Sequence, residues 1–189
     1  IYLYGWYNTI GRIQMTVDLF YAICAGIGIV FLSILYPIWT KNVANNGKWP
    51  TSYSNSYSIW ERYCNAGYRF TSWVGGNIFF MLPGLLNCAN TKVQFILPFV
   101  ALFALFVVGA NPSGIDKETT RKHCIAAQIC AILSTINVGL HGYWAIALIV
   151  LGVLFIWSKL WQRKYETLIM EFGAFLIAYL TIIFSYFGF

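Results

Sequence analysis

The chain has 189 residues, of which 59% are hydrophobic and 10% are charged. Soluble domains contain roughly 45–50% apolar and about 25% charged residues, so this composition excludes an ordinary water-soluble domain and indicates a protein that lies in a lipid bilayer. The net charge of +6 would suit nucleic acid, but the basic residues fall in short segments between apolar stretches. That placement is typical of membrane topology, and we expect no nucleic-acid partner.

Six apolar stretches predict an all-α fold, a polytopic bundle of six transmembrane helices in a single domain over 16–189. A hydrocarbon core of about 30 Å takes roughly 20 helical residues to cross, and each stretch reaches or approaches that length. The segment 1–15 holds four aromatic residues and one charge, which favours a place at the membrane interface. The predicted helices cover about 16–39, 67–87, 93–110, 121–140, 143–161 and 167–188.

The distribution of Lys and Arg predicts the orientation of the helices. The segments 40–66, 111–121 and 159–166, with the helix starts that adjoin them, hold ten of the twelve basic residues, and the other side holds Arg12 and Lys92. Basic residues concentrate on the cytoplasmic side of a membrane. We therefore expect these three segments to be cytoplasmic, with both termini on the opposite side and membrane lipids as partners of the basic face.

Pairs of small residues four positions apart predict close helix contacts in the first helix. Ala22 is followed by Gly26, and Cys24 is followed by Gly28. Small side chains at this spacing let two helix backbones approach within a membrane. We expect both pairs to lie against neighbouring helices.

The predicted fourth helix carries the clearest polar pattern in the chain. Its members follow one another at spacings of 7, 4, 3 and 4, which places them on one helix face. They are His123, Cys130, Ser134, Asn137 and His141. The stripe indicates either hydrogen bonds between helices or a ligand pocket or polar path. The two histidines lie 18 residues apart, about 27 Å along a helix, so they cannot bind one metal ion.

Further polar residues, Gln128 and Thr135, stand off that stripe. Two polar faces are poorly tolerated by lipid. We therefore expect the fourth helix to be the most enclosed of the six.

A second set of candidate ligands lies near the start of the fourth helix. Three or four ligands of a zinc ion could come from the group of Cys64, Asp116, His123, Cys124 and Glu61. Only one histidine is present there, and the spacing matches no zinc signature, so we expect no metal and no cofactor. The carboxylates of Asp116 and Glu118 would interact favourably with the positive end of the helix dipole, and Thr119 or Thr120 would cap the helix start.

Asp116 and His123 are therefore expected to act as structural partners. The carboxylate would accept a hydrogen bond from the imidazole or from free backbone N–H groups at the helix start.

Two other features of the sequence each allow two interpretations. Glu171 is an ionisable residue one turn inside the sixth predicted helix, and it either pairs with a basic residue such as Lys164 or handles a proton or cation. Serine occupies every second position from 52 to 58. This segment is either a solvated loop or, if extended, a row of hydroxyls that would bind a headgroup or phosphate.

Several short motifs between 50 and 135 resemble a group of uncharacterised small polytopic membrane proteins. In that group a Ser/Tyr segment precedes a helix that opens in Phe-Thr, and a Gly-Ala-x-Pro turn with an acid precedes a helix that opens in His. The matching residues are Ser54-Asn55-Ser56-Tyr57-Ser58, Phe70-Thr71-Ser72-Trp73 and Val108-Gly109-Ala110-Asn111-Pro112, followed by Asp116 and His123.

The order of these residues is also similar, more distantly, to the superfamily of alkaline ceramidases and adiponectin-type receptors, whose members hold a zinc ion. That resemblance implies Ser54 or Ser56, Asp116 and His123 as the matching positions. The superfamily has paired histidines in a late helix, and this chain has no histidine after His141.

Three functions remain open from the sequence. The favoured one is a non-enzymatic membrane module that binds lipid or another membrane protein, as a small subunit of an assembly or by self-association, because no complete catalytic set is present. The second is a metal-dependent lipid hydrolase with Ser54, Asp116 and His123 as its catalytic residues. The third is a transporter or channel subunit that uses Glu171 and the stripe of the fourth helix.

Overall fold

The computed structural model describes residues 2–161 and 163–188, with side chains for 14–160 and 163–188. Within these residues the chain is all-α, with seven helices and no strand. The first helix, α1, is continuous through Tyr2–Gly28, a π-helical segment Ile29–Leu35, one α turn Tyr36–Trp39 and a second π-helical segment Thr40–Ala44. The others are α2 (Asn55–Cys64), α3 (Tyr68–Asn87), α4 (Lys92–Ala110), α5 (Lys117–Leu140), α6 (Trp144–Trp161) and α7 (Glu166–Phe187), the last preceded by a 3-10 turn, Arg163–Tyr165.

Four helical segments are long and apolar enough to cross a membrane by length and composition, and together they suggest a multi-pass membrane protein. They are Gln14–Ala44, Lys92–Ala110, Lys117–Leu140 and Arg163–Phe187. By length and composition the described residues thus provide four candidate spans and not the six predicted, although a helix forms at each of the six predicted places. The described apolar part of α6, Trp144–Leu160, is shorter than these four segments, and α3 carries Arg69 and Asn77 among its apolar residues.

The first helix is longer than predicted, and its π-helical geometry has a local cause. Pro37 has no N–H, so the carbonyl of Ser33 loses the partner that it would have in an α-helix. The hydroxyl of Tyr53 donates to this carbonyl at 2.5 Å, and the indole Nε1 of Trp73 donates to the adjacent Leu32 carbonyl at 2.8 Å. The irregular segment thus provides two acceptors for side chains of other elements.

Residues 2–15 belong to the same helix as the rest of α1. The side chains of residues 1–13, Arg12 included, lie outside the described residues. An interfacial place for the segment 1–15 stays a prediction.

The prediction that the serine segment 52–58, between 40 and 66, is a solvated loop or an extended row of hydroxyls is wrong. Ten of these residues form α2, and the segment before it enters the bundle, where Tyr53 is 2% exposed and Ser54 and Ser56 are buried. The backbone N–H of Leu168 donates to the carbonyl of Thr51 at 3.1 Å. This segment, 45–54, therefore packs against the start of α7.

The core is centred on Trp73 of α3. Its ring stacks on Tyr53 at a centroid distance of 4.5 Å and on Phe70 at 5.7 Å, and the edge of Phe175 meets it at 5.0 Å. Aromatic pairs in these arrangements are stabilising beyond the area they bury. The cluster joins the segment 45–54, α3 and α7 at one end of the bundle.

Large apolar side chains cover the outer surface. Phe79, Phe103 and Leu148 are 72%, 67% and 68% exposed. A water-soluble monomer rarely exposes such residues in large contiguous numbers. This surface fits a lipid surrounding.

Candidate functional site: an internal cavity beside Glu171

A cavity of about 120 Å³ lies between α3, α4, α5 and α7 and is closed on one side by Tyr53 and Ser54. Most of its wall is apolar, with Phe70, Trp73 and Phe175 among the lining side chains. Its polar lining residues are Ser54, His123, Cys130, Ser134 and Glu171. A mostly apolar cavity with a few convergent polar groups is the usual form of a ligand site.

The cavity exists because α5 and α7 face each other with small side chains. Ala127 and Ala131 lie four residues apart on α5, as do Ala174 and Ala178 on α7, and all four line the cavity. Residues four apart share one face of a helix. Methyl side chains on both faces leave space between the two backbones that larger residues would fill.

Glu171 connects α7 to the segment before α2. Its Oε2 accepts a hydrogen bond from the backbone N–H of Tyr53 at 2.6 Å. Tyr53 is held by its hydroxyl and by its stacked ring, so the acceptor and the donor are both fixed. The carboxylate therefore anchors the segment 45–54 as well as lining the cavity.

No basic side chain pairs with Glu171 among the described residues, whose two ion pairs join Lys122 to Glu118 and Lys159 to Glu166. The predicted pairing with Lys164 does not form. Lys164 instead lies 5.6 Å from the ring centroid of Tyr165.

Glu171 and Ser134 also line a second cavity, of about 380 Å³, between α5, α6 and α7. Gln128 and Thr135 contribute to that wall. The two residues thus stand between two cavities on either side of the α5–α7 contact. An ionisable group inside a membrane span is a candidate functional residue in itself.

His123 is placed by the turn that precedes α5. Its Nδ1 lies 2.9 Å from the carbonyl oxygen of Asn111 and 3.3 Å from that of Val108. Carbonyl oxygens only accept, so Nδ1 carries the proton, and on the neutral ring Nε2 is an acceptor. The buried imidazole is part of the cavity wall.

The cavity wall includes three residues of the predicted stripe of α5. His123, Cys130 and Ser134 line the cavity, and the Cys130 sulfur lies 4.0 Å from the Ser134 hydroxyl. Asn137 does not line it, although its side chain is buried and its Oδ1 has no hydrogen-bond partner in the described structure. His141 ends the helix, and its Nε2 is likewise buried without a partner there.

The prediction that this helix is the most enclosed is wrong. The apolar window of α5 is 28% buried, against 44% for the windows of α4 and α7. Gln128 and Thr135 lie on its exposed side. The stripe faces inward, but the opposite face of the helix remains on the outside of the bundle because α6 makes few contacts with it.

Asp116 caps α5 and does not line the cavity. Its Oδ1 accepts the backbone N–H of Thr119 at 2.8 Å, and its Oδ2 accepts the Thr119 hydroxyl at 2.6 Å. The cap is therefore Asp116 itself, where Thr119 or Thr120 was predicted, and its predicted bond to a free N–H at the helix start is confirmed. The Thr119 hydroxyl and N–H lower the pKa of this exposed carboxyl.

The candidate metal ligands are dispersed. Cys64 and Cys124 are exposed free thiols, and Glu61 accepts the N–H of Gly67 at 2.9 Å. Within the described residues no group of three His, Cys, Asp or Glu side chains lies together in a way that would hold a metal ion. Of the proposed hydrolase residues, Ser54 and His123 line the same cavity and Asp116 is outside it.

Sequence reasoning did not identify Tyr53, Trp73 and Phe175 as parts of the site. Tyr53 lies within the serine segment 52–58 and Trp73 within one of the short motifs, but the common position of the three aromatic rings depends on packing between distant segments. Comparison with protein family models, with curated proteins and with solved structures found no match to this chain. The resemblance inferred from short motifs stays a prediction.

Proposed function

We propose that this chain is a non-enzymatic, multi-pass membrane protein that binds the amine-bearing group of a small amphipathic molecule or lipid in the cavity beside Glu171. The observation that carries the proposal is a carboxylate inside an apolar span that lines a cavity and has no ion-pair partner among the described residues. A buried charge is stabilised only by a partner and hydrogen bonds. A ligand cation would be that partner.

The other polar groups of the cavity suit the same ligand. His123 presents an acceptor nitrogen, and the hydroxyl of Ser134 is a further acceptor on the same wall. A site rich in acceptors selects a ligand rich in donors, such as a primary ammonium group. The volume of about 120 Å³ equals the share of roughly four water molecules in the liquid, so it suits a headgroup and not a whole lipid.

The hydrogen bonds argue against hydrolase chemistry. The hydroxyl of Ser54 lies 3.0 Å from that of Ser52 and 3.5 Å from that of Ser113, without a base as partner. A serine nucleophile needs a base within hydrogen-bond reach. The bonds of Asp116 to Thr119 hold that carboxylate at the helix start, away from a role beside His123.

A binding measurement tests the proposal. We would titrate dodecylamine, dodecanol and ethanolamine into the purified protein in a mild detergent and follow binding by calorimetry. Dodecylamine should bind, and Glu171→Gln should weaken it by about tenfold or more because a charge-assisted hydrogen bond is lost. The control is Glu166→Gln on the same helix, which removes a carboxylate that is paired with Lys159.

The arms of this experiment separate the possible sources of the amine. Ethanolamine that binds as tightly as dodecylamine would identify a small soluble amine as the ligand. Dodecanol that binds as tightly would show that the carboxylate is not used. Equal affinity of the wild type and Glu171→Gln for dodecylamine would contradict the proposal.

A transporter is the second candidate, and the observation that favours it is the position of Glu171 and Ser134 between two cavities. A carboxylate between two openings is a typical element of a proton or cation path. Proteoliposomes with a pH gradient and a membrane potential would test it with a pH-sensitive dye inside. Flux in the wild type that Glu171→Gln abolishes would support transport, and the absence of flux would favour simple binding.

We also propose that α3 crosses the bundle with α1, and that 40–66, 111–121 and 159–166 are cytoplasmic. Near the start of α3, the Trp73 indole donates a hydrogen bond to the Leu32 carbonyl of α1. At the end of α3, the Asn87 amide donates a hydrogen bond to the Asp18 carboxylate of α1 at 2.6 Å. Leu32 and Asp18 are separated by about 21 Å along α1. With α3 and α6 crossing, basic residues divide ten to two between the sides, against eight to four with only the four longer spans.

We propose membrane lipids as the partners of this protein. Association with another membrane subunit or with a second copy stays a prediction from composition.

A further inference from the structure

We propose that a second site, the groove between α1 and α3 beside Arg69, binds an anionic phospholipid, with the phosphate on the guanidinium and an acyl chain along the groove. It lies on the outer side of α3 and does not include Glu171 or His123. The proposal therefore stands apart from the cavity site and does not depend on it.

Arg69 is oriented by two indole rings. Its guanidinium carbon lies 4.6 Å from the ring centroid of Trp39 and 4.2 Å from that of Trp60. Trp60 is fully buried, and its Nε1 donates to the Thr40 hydroxyl at 3.1 Å, so its ring is fixed. Stacking of this kind holds the plane of the guanidinium and uses none of its N–H groups.

The hydrogen-bonding capacity of Arg69 is not used by the described protein. No carboxylate there pairs with it, and none of the described hydrogen bonds involves its guanidinium. Five donors in a planar fork match the geometry of a phosphate, which accepts two of them in parallel. The half-buried side chain thus presents a fixed, unpaired positive charge.

The groove beside it has the size and surface of an acyl-chain site. Its volume is about 510 Å³, and its wall is mainly apolar, with Phe31 and Leu35 of α1 among the lining residues. Phe31 is 58% exposed. From Trp39 to Phe31 the groove follows α1 for about 12 Å.

The groove runs in the direction that a phospholipid takes in a bilayer, from the headgroup level toward the middle. Through its contact with Trp39, Arg69 lies beside the end of the α1 span Gln14–Ala44, where headgroups are expected. Trp39 and Tyr68 line the same end, and such aromatic residues are enriched at the membrane interface. The groove then continues toward the middle of the span, where acyl chains lie.

Charge complementarity selects an anionic lipid. A phosphatidylcholine headgroup carries its own cation beside the phosphate, whereas phosphatidylglycerol carries a net negative charge that one arginine neutralises. The net charge of the protein is +6, which favours the same class of lipid. An acidic segment of another protein would satisfy Arg69 but would leave the apolar groove unfilled.

Native mass spectrometry in a mild detergent tests this site, with phosphatidylglycerol and phosphatidylcholine of the same acyl chains as probes. The wild type should retain phosphatidylglycerol with about tenfold preference, since the phosphate forms charge-assisted hydrogen bonds. Arg69→Gln should abolish the preference. Arg62→Gln makes the same change of charge on the exposed side of α2 and should leave the preference intact.

Two further variants keep the test decisive. Arg69→Lys retains the charge and the contact with the indoles but not the planar fork, so it should fold and show a reduced preference. Leu35→Trp should fill the groove and reduce retention of the lipid without changing the charge.

Equal losses in Arg62→Gln and Arg69→Gln would show unspecific electrostatic attraction and overturn the proposal. No preference in the wild type would also overturn it. Soluble glycerol phosphate that competes as well as the lipid at equal concentration would show that the groove takes no part. Full retention in Leu35→Trp would lead to the same conclusion.

Discussion

The buried side-chain amides of Asn77 and Asn137 differ in their hydrogen bonding. Asn77 is fully buried, accepts the Tyr179 hydroxyl at 3.0 Å and donates to the Trp73 carbonyl at 2.9 Å. The Oδ1 of Asn137 is buried without a partner in the described structure. A hydrogen bond stabilises the fold only where both groups are present, and an unpaired buried group opposes folding.

The two amides therefore predict opposite results for the same substitution. Asn77→Leu should lower the free energy of unfolding by about 1–3 kcal/mol because it leaves the buried Tyr179 hydroxyl unpaired. Asn137→Leu should leave that free energy unchanged or raise it. Reversible unfolding of both variants in mixed micelles, followed by circular dichroism, measures the difference, and an equal loss in both would contradict the assignment.

Glu171 is the residue on which the candidate site depends most. It forms the hydrogen bond that anchors the segment 45–54 and lines both cavities. Its replacement by Gln retains an acceptor for the Tyr53 N–H, so the fold should persist while ligand binding falls. This separation makes Glu171→Gln more informative than Glu171→Ala.

At the scale of elements, α1 and α7 approach each other closely at one glycine. A Cβ on Gly28 would overlap the ring of Tyr179, whereas a Cβ on Gly26 would meet no atom within 4 Å. Of the glycines in the two small-residue pairs predicted to make contacts, Gly28 lies against α7 and Gly26 meets no neighbouring helix. Tyr179 is fully buried and hydrogen-bonded, so it has no space to move.

Gly28→Ala should therefore destabilise the fold by about 1–3 kcal/mol, the usual range for overpacking of a well-packed interior. Gly26→Ala is the matched control, and it should be neutral or stabilise α1 by up to about 1 kcal/mol because alanine favours helix. Thermal unfolding in detergent compares them. Similar midpoints for the two variants would refute the close contact between Gly28 and Tyr179.

The start of α5 predicts a pH dependence. Hydrogen bonds from Thr119 lower the pKa of Asp116, so the folded state binds its proton less readily than the unfolded state. The stabilisation is complete above the ordinary pKa of aspartate and is lost as the pH falls through the lowered pKa of the folded protein.

Asp116→Ala should thus lower the thermal midpoint at neutral pH, and its difference from the wild type should shrink in acid. Asp116→Asn keeps a capping acceptor that does not titrate, and its midpoint should follow a flatter pH profile than that of the wild type. Parallel profiles for the wild type and Asp116→Asn would contradict a role of the ionised carboxylate.

At the scale of the whole molecule, the number of crossings decides on which side each loop lies. If α3 crosses with α1, Cys64 and Asn90 are on opposite sides of the membrane, and if only the four longer spans cross, they are on the same side. Both positions are exposed. They are thus suitable for labelling from the aqueous phase.

We expect an impermeant maleimide to label Asn90→Cys in intact cells and to label Cys64 only after permeabilisation. Each thiol is tested in a background where the other cysteines are replaced by serine. Labelling of both positions from the same side would show that α3 does not cross and would remove the proposed orientation.

Much of the architecture was accessible from the sequence because it depends on local periodicity. Apolar stretches of helical length predicted helices at the places of α1 and α3 to α7, and the spacing from His123 to Ser134 predicted one inward face of α5. The acidic cap of α5 lies within three residues of the N–H that it accepts. Such features involve neighbours in the chain, so they survive in any fold that keeps the helix.

Only the tertiary structure decided which of these residues meet. Glu171 and Tyr53 are 118 positions apart, Arg69 reaches Trp39 on another helix, and the π-helical part of α1 is completed by donors from Tyr53 and Trp73. The exposed outer face of α5 likewise depends on where α6 packs. These arrangements follow from contacts between distant segments and their shapes, and no local pattern of residues encodes them.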